Sequence, residues 1–591
     1  MINLPRLARP DAAPIRAVAW LRRRIRSSEL WLIGVATLIG VAAGFLAVLQ
    51  GRIAHGLQLA FFGFDPDQRL SAQAAIEPWR AAFLPLGGLA LGLLGWAWLR
   101  WRPTPPVDPV EANALHGGRM SLRDSAFICL QTLISNGVGA SVGLEAAYAQ
   151  AGAAVASFAG QRLNLRRADL RTLVGAGAGA AIGAAFGAPL CGAFYAFEIV
   201  IGAYTVANIA PVAAAALAAS LVAGRLGWTP YLLTPPHHVG VQTWVEYGLY
   251  ALLGLVCAGF GIALMRVVAF TERRVASVPF SRRLKPAAGG FLLAMLALIT
   301  PQTLSAGHGA LNLDLGRGLG LGMLLFLLLM KSAASIVSLS AGFRGGLFFA
   351  ALFLGTLLGQ AFAAVIALIP GAPALDPTVA ALVGLGGLGV AIVGGPFTMS
   401  FLVLEATGDF TVTAAALTAS LIASAVVREG FGYSFSTWRL HLRGETIRSA
   451  HDVEWVRTLT AGRMMRKDVK TVEAISTLAE FRRRFPLGAT RRVLMLDADG
   501  RYAGVIQTEA AYGDLEDLQA PVSTLAIHQD AALFPAMSIK EIMATFDKTQ
   551  ADELAVIDDS RNVLGVVSEA YATRRYAEEL EKARRDLTGE S

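Results

Sequence analysis

Ala184–Ile199 reads AAFGAPLCGAFYAFEI, and Ala391–Ala406 reads AIVGGPFTMSFLVLEA. Each stretch holds a Gly-x-Pro, then an apolar run, then a glutamate. Pro189 precedes Glu198 by the same interval as Pro396 precedes Glu405. Proline at the first position of a helix is well placed, because its missing N–H would have had no partner there. Upstream, GLE at Gly143–Glu145 corresponds to GLF at Gly346–Phe348 at nearly the same offset. Interrupted apolar helices in matching positions of two halves mark a transporter built from repeats, with its site near the midplane where the halves meet.

The composition agrees with residence in a bilayer. Of 591 residues, 54% are hydrophobic and only 16% charged. Clear apolar stretches are Trp31–Leu49, Ala82–Trp98, Tyr250–Phe270 and Leu319–Met330. Some reach the roughly 20 residues needed to span a bilayer, and others are shorter. Short apolar helices are tolerated at membrane depth when they pack inside protein or end at a cavity. Glycine-rich runs such as VGAGAGAAIGAAFGAP, from Val174 to Pro189, let helix backbones approach closely. The basic run LRRRIR, Leu21–Arg26, reads as a cytoplasmic anchor rather than a nucleic-acid patch. Cys129, Cys191 and Cys257 lack metal-ligand spacing and read as packing residues. Hydrolase and NTPase patterns such as HExxH and GxxxxGK[ST] give no support for an enzyme. No histidine cluster appears, and PPHHVG at Pro235–Gly240 reads as a polar loop.

The chain divides by composition. Residues 1–30 form a basic segment. Residues 31–438 form an all-α polytopic membrane domain, with repeat halves at about 31–226 and 242–430. Residues 439–460 are a linker, and residues 461–591 read as an α/β pair of similar units. In the pair, RRVLMLDADGRYAGVIQTEAAY and DELAVIDDSRNVLGVVSEAYA each predict strand, turn, strand, helix. Asp497 and Gly504 correspond to Asp558 and Gly565 at one offset, and an amphipathic helical run precedes each unit.

Glu145 lies in VGLEAAYAQAG, Val142–Gly152, inside apolar sequence. An acid there is costly and so a functional candidate. Gly143 breaks what precedes it, and the alanine-rich run after it predicts a helix starting at or just after Glu145. The free N–H groups and positive dipole end of a helix N-terminus favour an anion. That anion can be the carboxylate itself or a small ion in its place, which is the basis of a gate. A plain capping role is the alternative. GFRGGLFFA, Gly342–Ala350, places a second helix start opposite, with the N–H groups of Gly346, Leu347, Phe348 and Phe349 as further donors.

These motifs resemble the CLC family of chloride channels and anion/proton exchangers, and the C-terminal pair resembles tandem CBS domains. GLEAA stands where the family has Gly-Arg/Lys-Glu-Gly-Pro, and GGLFFA where it has Gly-x-Phe-x-Pro. The resemblance implies a homodimer with one pore per subunit, each an inverted repeat of broken, tilted helices. It makes Glu145 the gating glutamate, with Gly143, Leu144, Ala146, Gly346, Leu347, Phe348 and Phe349 around the anion. Pro106 falls where the family has an anion-coordinating serine, so that ligand is lost and chloride preference is not implied; relatives with proline there include nitrate-preferring exchangers. Ser436, or the nearby Tyr433, stands for the family's pore tyrosine. Lys331 matches a basic position and reads as a vestibule charge or a snorkelling side chain. Glu198 and Glu405 read as structural hydrogen-bond acceptors. Exchangers of the family carry a second, proton-carrying glutamate directly after the position of Glu198; here it is Ile199.

The sequence therefore predicts passage of chloride or nitrate, channel-like or uncoupled, in the inner membrane of a bacterium with both termini cytoplasmic. A proton-coupled exchanger is the alternative. A membrane-anchored nucleotide sensor is the alternative from another class. An adenine nucleotide at the CBS pair is a weak expectation, because TEAA at Thr508 and SEAY at Ser568 lack the aspartate that holds ribose hydroxyls. Metal and nucleic acid are not expected.

Overall fold

The computed structural model describes residues 28–102, 106–228, 243–281, 283–442, 459–512, 517–576 and 578. The basic run at Leu21–Arg26 and the PPHHVG segment lie outside them. The chain divides into two compact units, residues 1–451 and 452–591.

The first unit is helical and contains the same succession of elements twice. The first half has α1 (Glu29–Phe62), α2 (Phe83–Trp101), α3 (Pro109–Leu115), α4 (Leu122–Gly137), α5 (Glu145–Arg162), α6 (Arg167–Phe186), α7 (Pro189–Tyr195) and α8 (Val206–Arg225). The second has α9 (Trp244–Ser277), α10 (Lys285–Ile299), α11 (His308–Leu315), α12 (Leu321–Ala341), α13 (Phe348–Ile366), α14 (Pro377–Val393), α15 (Pro396–Thr407) and α16 (Phe410–Gly430). Opening helices α1 and α9 are each 34 residues long, and short α3 and α11 match in place. Among the described residues seven helices are long and apolar enough to cross a bilayer.

The breaks follow from local chemistry. Helix α6 ends at Gly187 with φ +64° and α14 at Gly394 with φ +92°, left-handed conformations that glycine adopts without steric cost. Pro189 and Pro396 then open α7 and α15 at once. Helix α5 lies on α6 through glycine contacts, and α13 lies on α14 in the same way. A Cβ on Gly152 would stand 2.1 Å from the Gly177 oxygen, and one on Gly355 would stand 2.4 Å from the Gly384 oxygen. Backbone-to-backbone contact of this kind is what drives helix association where lipid removes the hydrophobic contrast.

A last helix, α17 (Phe435–Leu442), packs on α3 and α14. The expected domain boundary at 438/439 therefore falls inside a helix of the membrane unit. The polar look of that stretch comes from residues such as Arg439, which pairs with Glu272 of α9 at 3.3 Å.

In the second unit, β1 (Thr471–Glu473) pairs in parallel with β2 (Arg492–Leu496), which pairs antiparallel with β3 (Tyr502–Gln507). Strands β4 (Glu553–Ile557) and β5 (Val563–Ser568) form the second antiparallel pair. The two hairpins match in detail. Asp497 accepts hydrogen bonds from the N–H groups of Asp499 and Arg501, as Asp558 does from those of Ser560 and Asn562. The Asn562 bonds also hold the Asp558 carboxyl below the usual carboxylate range. The helices before the hairpins both start with capping boxes, Thr477 with Glu480 and Ser538 with Glu541. The pair thus repeats one plan, a capped helix followed by a strand–turn–strand hairpin.

Candidate functional site

Where the halves meet, Gly143 and Gly346 pair as an isolated antiparallel bridge. The Gly143 N–H donates to the Gly346 oxygen at 3.0 Å, and the Gly346 N–H to the Gly143 oxygen at 3.4 Å. This bridge brings the first turns of α5 and α13 together. Glu145 is the first residue of α5 and Phe348 the first of α13. Both helix N-termini present free N–H groups and a positive dipole end to one region.

The Glu145 side chain is only 3% exposed. Its carboxylate accepts from its own N–H and from the N–H of Phe349, while its Oε2 has no hydrogen-bond partner in the protein. The carboxylate folds back over Gly143 so closely that a Cβ there would lie 1.8 Å from Oε2. The carboxylate thus sits at a place built for an anion.

Below it opens a cavity of about 870 Å³. Glu145, Ala146, Gly346, Leu347, Phe348, Pro106 and Ser436 all line it. These residues, far apart in the chain, thus border one space. Ile199 lines it as well, so the position after Glu198 does face this space, with an apolar side chain. Gly143, Leu144 and Phe349 do not line it. The N–H groups of Gly143 and Gly346 are taken by their mutual bridge, and that of Phe349 by the Glu145 carboxylate. Expected as donors to a free anion, they instead hold the two half-sites and the carboxylate in place. Tyr433 also stays off the wall. Its hydroxyl meets His441 Nδ1 at 3.2 Å and its ring stacks on His441, which leaves Ser436 as the hydroxyl from α17.

Several lining residues were not anticipated. Tyr195 ends α7 with its ring 6.1 Å from that of Phe348, on the cavity wall. Arg273, Arg344 and Arg439 bring positive charge, and Asp108 and Glu272 bring carboxylates. They come from α3, α7, α9, α17 and the turn before α13, and nothing in their separate surroundings in the chain signals convergence. Positive charge lining a cleft raises the local concentration of anions.

Glu198 and Glu405 do accept hydrogen bonds, and reciprocally. Glu405, near the end of α15, takes the N–H groups of Leu190 and Cys191 in the first turn of α7, each at 2.8 Å. Glu198, just after α7, takes those of Phe397 and Thr398 in the first turn of α15, at 3.1 and 2.8 Å. Each repeat caps a helix of the other.

Lys331 corrects its sequence reading. It is 1% exposed, and its Nζ donates to the carbonyls of Ser305 and Thr303 at 2.6 and 3.3 Å. It neither lines the cavity nor snorkels, but ties down the loop before α11. Gly139–Gly143 also spells GxSxG, the pattern of a hydrolase nucleophile elbow. Ser141 is buried, with its Oγ on Ser335 Oγ at 3.1 Å and its N–H donating to Ser338 Oγ at 3.0 Å. It joins the two halves and offers no nucleophile to substrate.

A family model described as voltage gated chloride channel matches residues 93–428. A ClcB-like chloride channel protein of Ralstonia nicotianae is 31% identical over 389 residues, covering 64% of this chain and 90% of the relative. A crystal structure of a slow cyanobacterial Cl−/H+ antiporter superposes with a TM-score of 0.61 at 20% identity, over 70% of this chain and 97% of that one. A eukaryotic CLC transporter superposes with a TM-score of 0.58 at 18% identity, over 93% of this chain and 98% of that one. At such identities the two solved structures establish a shared fold.

Proposed function

The chain belongs to the voltage gated chloride channel family, whose members are channels or transporters and not enzymes, and we propose that it passes small inorganic anions, chloride or nitrate, through a pore gated by Glu145. One observation carries the reading: the Glu145 carboxylate stands at the meeting of two helix N-termini and lines the large cavity. When the carboxylate swings out or is protonated, a halide or nitrate ion takes its place. In the cavity the hydroxyls of Tyr195 and Ser436 and the three arginines serve the ion. Pro106 adds no donor to the wall, since proline has neither hydroxyl nor N–H. No fixed charge grips the ion at the gate itself, so release stays fast.

Ile199 supports a channel or uncoupled carrier. At the place where the resemblance expects a titrating carboxylate, the wall carries a side chain that cannot hold a proton. A proton-coupled exchanger has one observation in its favour, since the carboxylates of Asp108 and Glu272 line the same cavity. The chain works as a homodimer in the inner membrane of a bacterium, with both termini cytoplasmic. Proteoliposomes with an imposed chloride or nitrate gradient test the whole reading. Brisk anion flux without uphill proton movement is expected. A fixed anion-to-proton stoichiometry overturns the channel reading, and no flux of either anion overturns the transport reading in favour of a sensor.

A further inference from the structure

His308 is the first residue of α11 and does not line the large cavity. Its Nε2 lies 4.0 Å from Glu145 Oε1, and its ring centroid lies 3.8 Å from that of Phe349, whose N–H binds the same carboxylate. The His308 side chain is buried, about 10% exposed. Behind it is a second, small pocket of about 20 Å³, lined by His55, Gln58, Arg69, Asn136, Ser305 and His308 among others. That volume holds about one water, and the lining offers it several hydrogen-bond partners.

The lining is organised around this space. Gln58 Nε2 donates to Asn136 Oδ1 at 2.8 Å and to Ser305 Oγ at 3.2 Å, and Asn136 Nδ2 donates to Ser305 Oγ at 3.2 Å. Lys331 holds the Ser305 carbonyl. The charged and titratable groups facing His308 are Glu145 from α5, Arg69 from the segment after α1, Lys331 from α12 and His55 from α1, with Asp314 farther along its own helix.

We propose that His308 carries protons between water in this small pocket and the Glu145 carboxylate, so that the gate is loaded from a space other than the large cavity. This rests on Glu145 being the gate. In one transfer a hydronium in the pocket gives a proton to one ring nitrogen. The N–H bond at Nε2 breaks, and its proton forms an O–H bond on Glu145 Oε1. Water, a neutral imidazole in its other tautomer and a carboxylic acid remain, with one proton moved and no electron transferred. One bridging water, or a small movement of the flexible glutamate, spans the 4.0 Å gap. A histidine that only filled space would not need its nitrogen turned to the one carboxylate the gate uses.

The test uses the full-length protein in proteoliposomes with chloride as the probe anion and equal pH on both faces. Flux is followed at a series of pH values and after a rapid acid jump, for wild type, H308Q, E145Q and E145Q/H308Q, with H308N made in parallel should H308Q fail to fold. Loss of the relay predicts that H308Q responds to the jump at least about a hundredfold more slowly, the lower end of the usual acid–base assistance, yet reaches the wild-type flux at low pH. In the E145Q background the histidine change should have no further effect. A wild-type response in H308Q and H308N overturns the relay. So does an equal loss of flux in the E145Q background, which would make His308 a packing residue. If E145Q itself keeps the wild-type pH dependence, the gate reading falls and the relay with it. If E145Q loses that dependence while H308Q keeps it, only the relay falls.

Discussion

Replacing Gly143 with alanine tests the gate without touching its carboxyl group. The three nearest atoms to an added Cβ are all on the Glu145 side chain, with Oε2 at 1.8 Å, Cδ at 2.8 Å and Oε1 at 3.1 Å. Gly143 is not among the residues with positive φ, so alanine fits its backbone conformation. The conflict is therefore with the free end of one flexible side chain, and that end must leave. Leaving means losing the hydrogen bond from the Phe349 N–H. A hydrogen bond to a charged group contributes about 1.5–3 kcal/mol, which lowers occupancy of the seat about ten- to a hundredfold. Anion efflux from liposomes at neutral pH should rise by up to that factor, and its pH dependence should flatten, although Glu145 is still present and still titrates. A G143A variant with wild-type flux and wild-type pH dependence would show that the carboxylate does not obstruct the ion from this seat, and the competition argument would fail.

Glu405→Ala strips the acceptor from the N–H groups of Leu190 and Cys191, and should lower stability by about 1–2 kcal/mol, since each orphaned donor costs roughly a kcal/mol at a half-exposed site. The fall should appear as a reduced midpoint in thermal unfolding in detergent, with the anion preference unchanged. Pro106→Ser adds a hydroxyl to the cavity wall and should shift binding toward chloride over nitrate, readable by competition in calorimetry; an unchanged ratio would remove this loop from the anion's contacts. Tyr195→Phe removes a donor from the cavity lining and should weaken anion binding several-fold, about 1 kcal/mol, with gating kinetics unaltered. Titration with ATP or AMP should give no heat from the CBS pair. Ala511, in the position of the ribose-binding aspartate, is buried in the hydrophobic core of its unit, and micromolar binding would refute that assignment.

Much of this architecture was readable because glycine and proline punctuate it. Gly187 with Pro189, and Gly394 with Pro396, end one helix and start the next by conformational necessity, so their recurrence reports the repeat directly. The start of α5 at Glu145 was readable for the same reason. What pattern does not carry is which side chains meet across the repeat. His308, Tyr195 and Arg273 look ordinary in their own segments; only the packing of separate helices brings them to the gate or the cavity. Lys331 shows the same limit, because hydropathy places a lysine near an apolar helix but does not reveal two carbonyls of another loop waiting for it. Glu198 and Glu405 show what lies between the two cases. Their matching positions were plain, yet matching positions alone fit two independent caps as well as one exchanged pair. The exchange follows from symmetry: in a two-fold arrangement, a carboxylate after α7 that reaches the start of α15 implies that its mate on α15 reaches the start of α7. Each half then satisfies helix donors that the other half leaves open. A half cut from its mate would leave those donors without their carboxylates, which is a physical reason for two repeats to stay in one chain.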